Sequence, residues 1–182
     1  MQTIQNPTDL IKPFKQGKIF AYPTEAVFGL GCDPDNEQSV LRLLALKQRP
    51  VNKGLILIAA DFSQVQKYLK PLSKAQQKLT KASATTYVFP ALDSAPKWLT
   101  GDFDSLAVRI TRHPLVGELC LTLDSALVST SANLSGQEPA TSLQEVENQL
   151  SGKIDYFLQG GLGNAQKPSV IRDSVTGKVI RA

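Results

Sequence analysis

One histidine, two cysteines, one tryptophan and one methionine are all that this 182-residue chain holds of those types, and each scarcity excludes a class of chemistry. Zinc takes four side-chain ligands, or three and a water, from Cys, His and carboxylates. A Cys/His site would therefore need His113, Cys32 and Cys120 together, from three distant segments. A Ser-His-Asp triad has only His113 to draw on, and that ring stands directly before Pro114, where a surface or helix-start role is the simpler reading. No metal site is expected. Two isolated cysteines make no disulfide framework and fit a reducing compartment, so a cytoplasmic location is expected. Long apolar runs are missing as well. Nothing approaches the roughly 20 apolar residues of a membrane span, and the polar start, Met1 to Asn6, has no signal core.

What remains is ordinary globular material: 42% hydrophobic and 20% charged residues in a length that suits one domain, expected over 1–182. A net charge of +4 tolerates an anionic partner without demanding one. Short branched apolar runs predict strands at 18–22, 55–59, 87–89, 106–110, 126–129, 154–158 and 179–180, each bounded by Gly, Pro, Asp or Ser. Helical spacing fits 36–48, 62–69, 73–79 and 115–123, and Ser142 with Glu145 reads as a capping box. Strands interleaved with helices in no clean alternation predict an α/β (α+β) fold, a twisted mixed parallel and antiparallel sheet covered by helices.

Four stretches carry chemistry. In Tyr22-Pro23-Thr24-Glu25-Ala26-Val27-Phe28-Gly29-Leu30-Gly31, Pro23 ends a strand and the glycines predict a loop that bends or meets a ligand. Lys47-Gln48-Arg49-Pro50-Val51-Asn52-Lys53-Gly54 holds three cations in seven residues, more than a helix C-terminus requires, and they suit one polyanion. Ser105 to Ile110 reads as a buried strand whose Arg109 either pairs with a core carboxylate or faces an anionic ligand. Ser129-Thr130-Ser131-Ala132-Asn133-Leu134-Ser135-Gly136 supplies short neutral hydrogen-bonding groups, or is merely a turn. No Gly-x-x-x-x-Gly-Lys-Ser/Thr loop occurs, and Gly160-Gly161-Leu162-Gly163 lacks the dinucleotide spacing. Trp98 is expected to pack under a loop rather than to edge a pocket.

Taken in order, Tyr22-Pro23-Thr24-Glu25, Lys47-x-Arg49-Pro50, Leu106-Ala107-Val108-Arg109 with His113-Pro114, Ser129 to Gly136, Pro168-Ser169-Val170-Ile171-Arg172-Asp173 and Val179-Ile180-Arg181 resemble the YrdC/TsaC family. The resemblance implies a YrdC-like fold with a basic concave cavity, in its minimal single-domain form. It implies synthesis of threonylcarbamoyl-AMP and pyrophosphate from L-threonine, bicarbonate and ATP, Mg²⁺ arriving with the ATP, for the t6A modification at position 37 of tRNAs that read ANN codons. The partners implied are the other proteins of that pathway that use the adenylate, and tRNA or double-stranded RNA. The resemblance places a catalytic set on Lys47, Arg49, Ser131 and Asn133, ATP contacts on Arg49, Lys53, Ser105, Ser129 and Arg181, and threonine contacts on Thr24, Arg109 and Ser131. Two positions depart from the pattern: Lys81-Ala82-Ser83-Ala84 replaces a Trp-Pro-Gly-Pro run, and Ala26 replaces a second threonine. The competing readings are a non-catalytic RNA-binding module, which lacks a basic stripe interleaved with aromatics, and a small-molecule binding domain without turnover.

Overall fold

Among the described residues ten strands join in one sheet, seven of them on the predicted apolar runs: β1 (Gln2–Ile4), β2 (Phe20–Pro23), β3 (Phe28–Cys32), β4 (Ile56–Ala59), β5 (Thr85–Pro90), β6 (Ser105–Ile110), β7 (Leu127–Ser131), β8 (Tyr156–Leu158), β9 (Val170–Asp173) and β10 (Val179–Arg181); β1, β3 and β9 fall on none of those runs. The computed structural model describes residues 1–81 and 83–182, so Ala82 of the substituted run lies outside the described residues. The order is β1-β8-β2-β3-β7-β4-β6-β5-β9-β10. The pairs β1·β8, β2·β8, β4·β6 and β5·β9 are parallel and the others antiparallel, the mixed sheet that the sequence predicts.

The helices are α1 (Ile11–Lys15), α2 (Glu37–Leu46), α3 (Ser63–Gln66), α4 (Lys74–Gln77), α5 (Lys97–Thr100), α6 (Pro114–Thr122) and α7 (Leu143–Leu150). Their starts follow from local chemistry. Asn36 accepts from the Ser39 amide to cap α2, and Pro114 opens α6 where its missing N–H costs nothing. At α7 the Ser142 side chain accepts from the Glu145 amide, but the Glu145 carboxylate turns to Thr141, so the predicted box is half formed. The reciprocal box belongs to α4, between Ser73 and Gln76. Among the described residues no helix is long and apolar enough to cross a membrane.

Two cores sandwich the sheet. One face packs Leu57, Val108 and Val128 with Val40 and Leu43 of α2. On the other, Phe20, Tyr22, Ile58 and Leu127 pack under Val116 and Leu119 of α6. Strand β7 shows where that second core stops. With side chains alternating in direction, Leu127 lies in the α6 core, whereas Ser129 and Ser131, on the same face, line an open cavity.

The first loop prediction holds for 24–27, between β2 and β3, and is corrected at the glycines. Pro23 is the last residue of β2, paired opposite Phe28, and Gly29 and Gly31 belong to the central strand β3. They are glycines because the Tyr22 ring lies across them: a Cβ at Gly31 would come 2.7 Å from Tyr22 Cε1 and 2.9 Å from the Val128 carbonyl. Over that gap the Tyr22 hydroxyl donates to Ser129 Oγ on the far side of β3, at 3.0 Å.

Candidate active site

The sheet face that α6 leaves uncovered becomes the floor of a cavity of about 740 Å³. Ser129 pairs with Ile56, Ile56 with Ala107 and Ala107 with Val88, so one row of partners crosses four strands, and all four residues line the cavity. Strand β6 alternates accordingly: Leu106, Val108 and Ile110 are buried, while Ser105, Ala107 and Arg109 face the cavity. Its described wall carries five cations, Arg49, Lys53, Arg109, Lys167 and Arg181, against one carboxylate, Glu25. A low-dielectric recess with that balance favours an anion carrying several charges.

The Lys-x-Arg stretch divides at its middle residue. Gln48 has φ 47°, in the left-handed region, and this turn ends α2 and sends its two neighbours apart. Lys47 is nearly buried, and its ammonium donates to the Ser131 carbonyl at 2.8 Å, the Asn133 carbonyl at 2.6 Å and Asn133 Oδ1 at 2.6 Å. Ser131 Oγ also donates to Asn133 Oδ1, and Asn133 Nδ2 donates to the Leu134 and Gln137 carbonyls. Burial, with the nearby Arg49 charge, pushes the Lys47 ammonium down to about 8. Lys47 has three N–H groups and three acceptors, and neither it nor Asn133 lines the cavity. Lys47 braces the end of β7, because its turn directs it there.

Arg49 faces the other way. Nη2 donates to the Gly54 carbonyl at 2.7 Å and the Lys53 carbonyl at 3.2 Å, tying down the turn that presents Lys53, while buried Nε has no partner. Burial and the neighbouring Arg181 lower its proton affinity. Arg181 is delivered by β10, where Nη2 reaches the Ser169 carbonyl at 3.3 Å. Two guanidiniums close enough to disfavour one another, in one cavity, make a site that an anion would relieve.

The remaining predicted residues differ in what they have free. Ser129 and Ser105 line the floor; Ser129 accepts from Tyr22, which leaves its own proton free. Thr24 is buried and its hydroxyl donates to the Val27 carbonyl at 2.6 Å, so its proton is used in the turn before β3. Arg109 does both things the sequence left open. It lies 3.4 Å from Glu25 Oε2 and lines the cavity, with Nε buried and unpartnered. The structure thus brings Thr24, Arg49, Lys53, Ser105, Arg109, Ser129, Ser131 and Arg181 around one space, with Lys47 and Asn133 outside it.

Glu25, Lys167, Ser169 and Phe103 also line it and were not among the predicted site residues. Only Glu25 and Ser169 had a signal, lying within stretches singled out by motif. Trp98 does not line the cavity; its indole N–H donates to the Pro34 carbonyl at 3.0 Å as it packs on the core, as predicted. His113 is the N-cap residue of α6 and is buried, so the helix-start reading holds and the surface reading does not. It helps to line a second cavity of about 650 Å³, which shares Glu25, Ala84 and Ala165 with the first.

This arrangement has counterparts. The chain is 55% identical over 172 residues to a protein of Enterobacter sp. (strain 638) named threonylcarbamoyl-AMP synthase, covering 92% of this chain and 90% of that one. It is 50% identical over 171 residues to a protein of the same name from Pseudoalteromonas translucida (strain TAC 125), covering 91% of each. The crystal structure of P. abyssi Sua5 complexed with L-threonine matches 94% of this chain with a TM-score of 0.86 at 28% identity; this chain spans 53% of that one. E. coli YciO shares the fold, with a TM-score of 0.82 over 99% of this chain and 92% of its own, at 21% identity. The family model Sua5/YciO/YrdC, described as Telomere recombination, matches residues 12–182. With the sheet, the cationic cavity and the close relatives in agreement, the chain belongs to the Sua5/YciO/YrdC family.

Proposed function

We propose that this protein is a threonylcarbamoyl-AMP synthase, a nucleotidyltransferase that makes threonylcarbamoyl-AMP, pyrophosphate and water from L-threonine, bicarbonate and Mg-ATP. The observation that carries the reading is the cavity with five cations and one carboxylate on its described wall, in a chain whose relatives bear that name at 50% and 55% identity. Threonine enters the reading because the P. abyssi Sua5 structure holds it. The amine of threonine takes up the carbon of bicarbonate, and a carbamate oxygen attacks the α-phosphorus as pyrophosphate leaves.

Carbamate and triphosphate repel each other, so the work required is positioning and charge neutralisation. Arg49, Lys53 and Arg181 hold the phosphates, with Lys167 as a fourth cation at the same cavity. Arg109 takes the threonine carboxylate. Ser105, Ser129 and Ser131 serve the smaller polar groups, and Lys47 with Asn133 holds Ser131 in place. Mg²⁺ comes with ATP and screens the leaving group. The adenylate then serves t6A modification of tRNA in the cytoplasm, through the proteins that consume it. The test is pyrophosphate release by the purified protein with Mg-ATP. Release that needs threonine and bicarbonate together is expected; release without threonine, or none with all three present, overturns the reading.

A further inference from the structure

We propose that Glu25 receives the α-ammonium group of the amino-acid substrate, so that the Glu25–Arg109 pair reads a zwitterion rather than a carboxylate alone. The inference rests on the reading of threonine as substrate and adds a residue that selects it. The carboxylate is held from one side only. Oε1 accepts from Thr111 Oγ1 at 2.7 Å and from the Arg112 amide at 3.2 Å. Oε2 is buried and has no hydrogen-bond partner, Arg109 Nη2 lies 3.4 Å away, Arg109 Nε is itself buried and unpartnered, and both residues line the cavity. A closed carboxylate–guanidinium pair has N···O distances of about 2.7–2.9 Å and is often bidentate. This pair stands open, leaving an acceptor on the acid and a donor on the base.

Buried polar groups without partners are costly, and a ligand that satisfies both removes the cost at once. The ligand must carry the reverse charges on neighbouring atoms: a cation for Glu25 and an anion for Arg109. A free α-amino acid has that pattern, and a hydroxy acid or a simple carboxylate does not. Burial alone would make Glu25 a weaker acid, but Arg109, Thr111 and the Arg112 amide more than offset it and hold the group below the usual carboxylate range. Glu25 is therefore ionised at neutral pH.

The backbone is fixed for this purpose by the glycine run after β8, for which the sequence suggested no role. The Gly163 amide donates to the Thr24 carbonyl and the Ala165 amide to the Glu25 carbonyl, each at 2.9 Å. A Cβ at Gly163 would come 2.9 Å from both Glu25 Cα and its carbonyl oxygen, so only glycine lets this loop lie against Glu25.

The test is calorimetric titration of the whole protein with threonine and with 3-hydroxybutanoate, which keeps the carboxylate and hydroxyl and lacks the amine, repeated with Glu25→Gln. The wild-type protein is expected to bind threonine about 10–100-fold more tightly than the analogue, the range of one charge-assisted hydrogen bond. Glu25→Gln is expected to lose that preference through threonine alone, with affinity for a non-hydrolysable ATP analogue within about 2-fold of wild type. Equal binding of both ligands by the wild-type protein overturns the proposal and requires no variant to fold. So does an unchanged preference in Glu25→Gln, or an equal loss for both ligands, which would mean that Glu25 acts only through Arg109. Binding of the ATP analogue with no threonine binding at all would instead overturn the proposed substrate.

Discussion

Lys47 and Arg49 stand two residues apart with the same charge, and the structure gives them opposite surroundings. Around Lys47 every group is satisfied: three N–H donors meet three acceptors on Ser131 and Asn133. Around Arg49 the charge is in excess, with an unpartnered Nε and Arg181 alongside. A cation whose bonds are all made within the protein is spent on structure, and a cation left short of acceptors is free to take an anion. The left-handed turn at Gln48 separates the two.

The largest effect expected from breaking this contrast is at the brace. Lys47→Ala orphans three acceptors and frees the end of β7, so turnover should fall by about 100-fold or more through misplacement of Ser131. Stability should fall by about 1–3 kcal/mol for a buried unsatisfied group. Initial rates and a urea melt measure both. Arg49→Ala should behave differently, losing about 1.5–3 kcal/mol of ATP affinity, or roughly 10–100-fold, while the urea midpoint moves little. If both variants lose stability and ATP affinity alike, the two regions are not distinct.

The pH dependence sharpens the same comparison. Below its value of about 8 the Lys47 ammonium is charged and the brace is complete. As pH rises through that value, one of three N–H donors is lost, so kcat should descend through about 8, and the Lys47→Ala remnant should lack this limb. Stability moves the other way. An ordinary lysine titrates at 10.5, so between about 8 and 10.5 the unfolded chain binds more protons, and this residue's contribution to stability rises with pH. Falling kcat beside a steady or rising melting temperature is the expected pattern. A fall in both, in step, would assign the rate loss to unfolding.

Smaller effects are expected at the edges. Gly31→Ala pushes a methyl into the Tyr22 ring and the Val128 carbonyl, which should cost about 1–3 kcal/mol as overpacking and lower the melting temperature by roughly 2–4 °C per kcal/mol. Smallest of all, ATP should leave Trp98 fluorescence unquenched, since the indole is bonded to Pro34 away from the cavity.

Local chemistry made much of the fold legible. The capping Asn36, the periodicity of Val40 and Leu43, and the branched runs of β4 and β6 depend on neighbours in sequence, and they were read correctly. Strand β3 was not, because Gly29 and Gly31 are strand residues only in company with the Tyr22 ring that fills their space. The β9–β10 hairpin escaped in part because its side chains are mostly exposed and show no apolar alternation. The cations of the site were visible as residue types in motifs. Their division between Lys47 and Arg49 was not, since it depends on a positive φ at a non-glycine residue. Glu25 was visible only as a member of a stretch, because its partners Thr111 and Arg109 come from the far side of the sheet.

The most direct test of the central claim is to follow labelled carbon. With ¹⁴C-bicarbonate, Mg-ATP and threonine, the label should enter an acid-labile adenylate that has the mass of threonylcarbamoyl-AMP, and it should not do so when threonine is omitted. Label that stays in bicarbonate while ATP is bound and threonine is present would contradict the account.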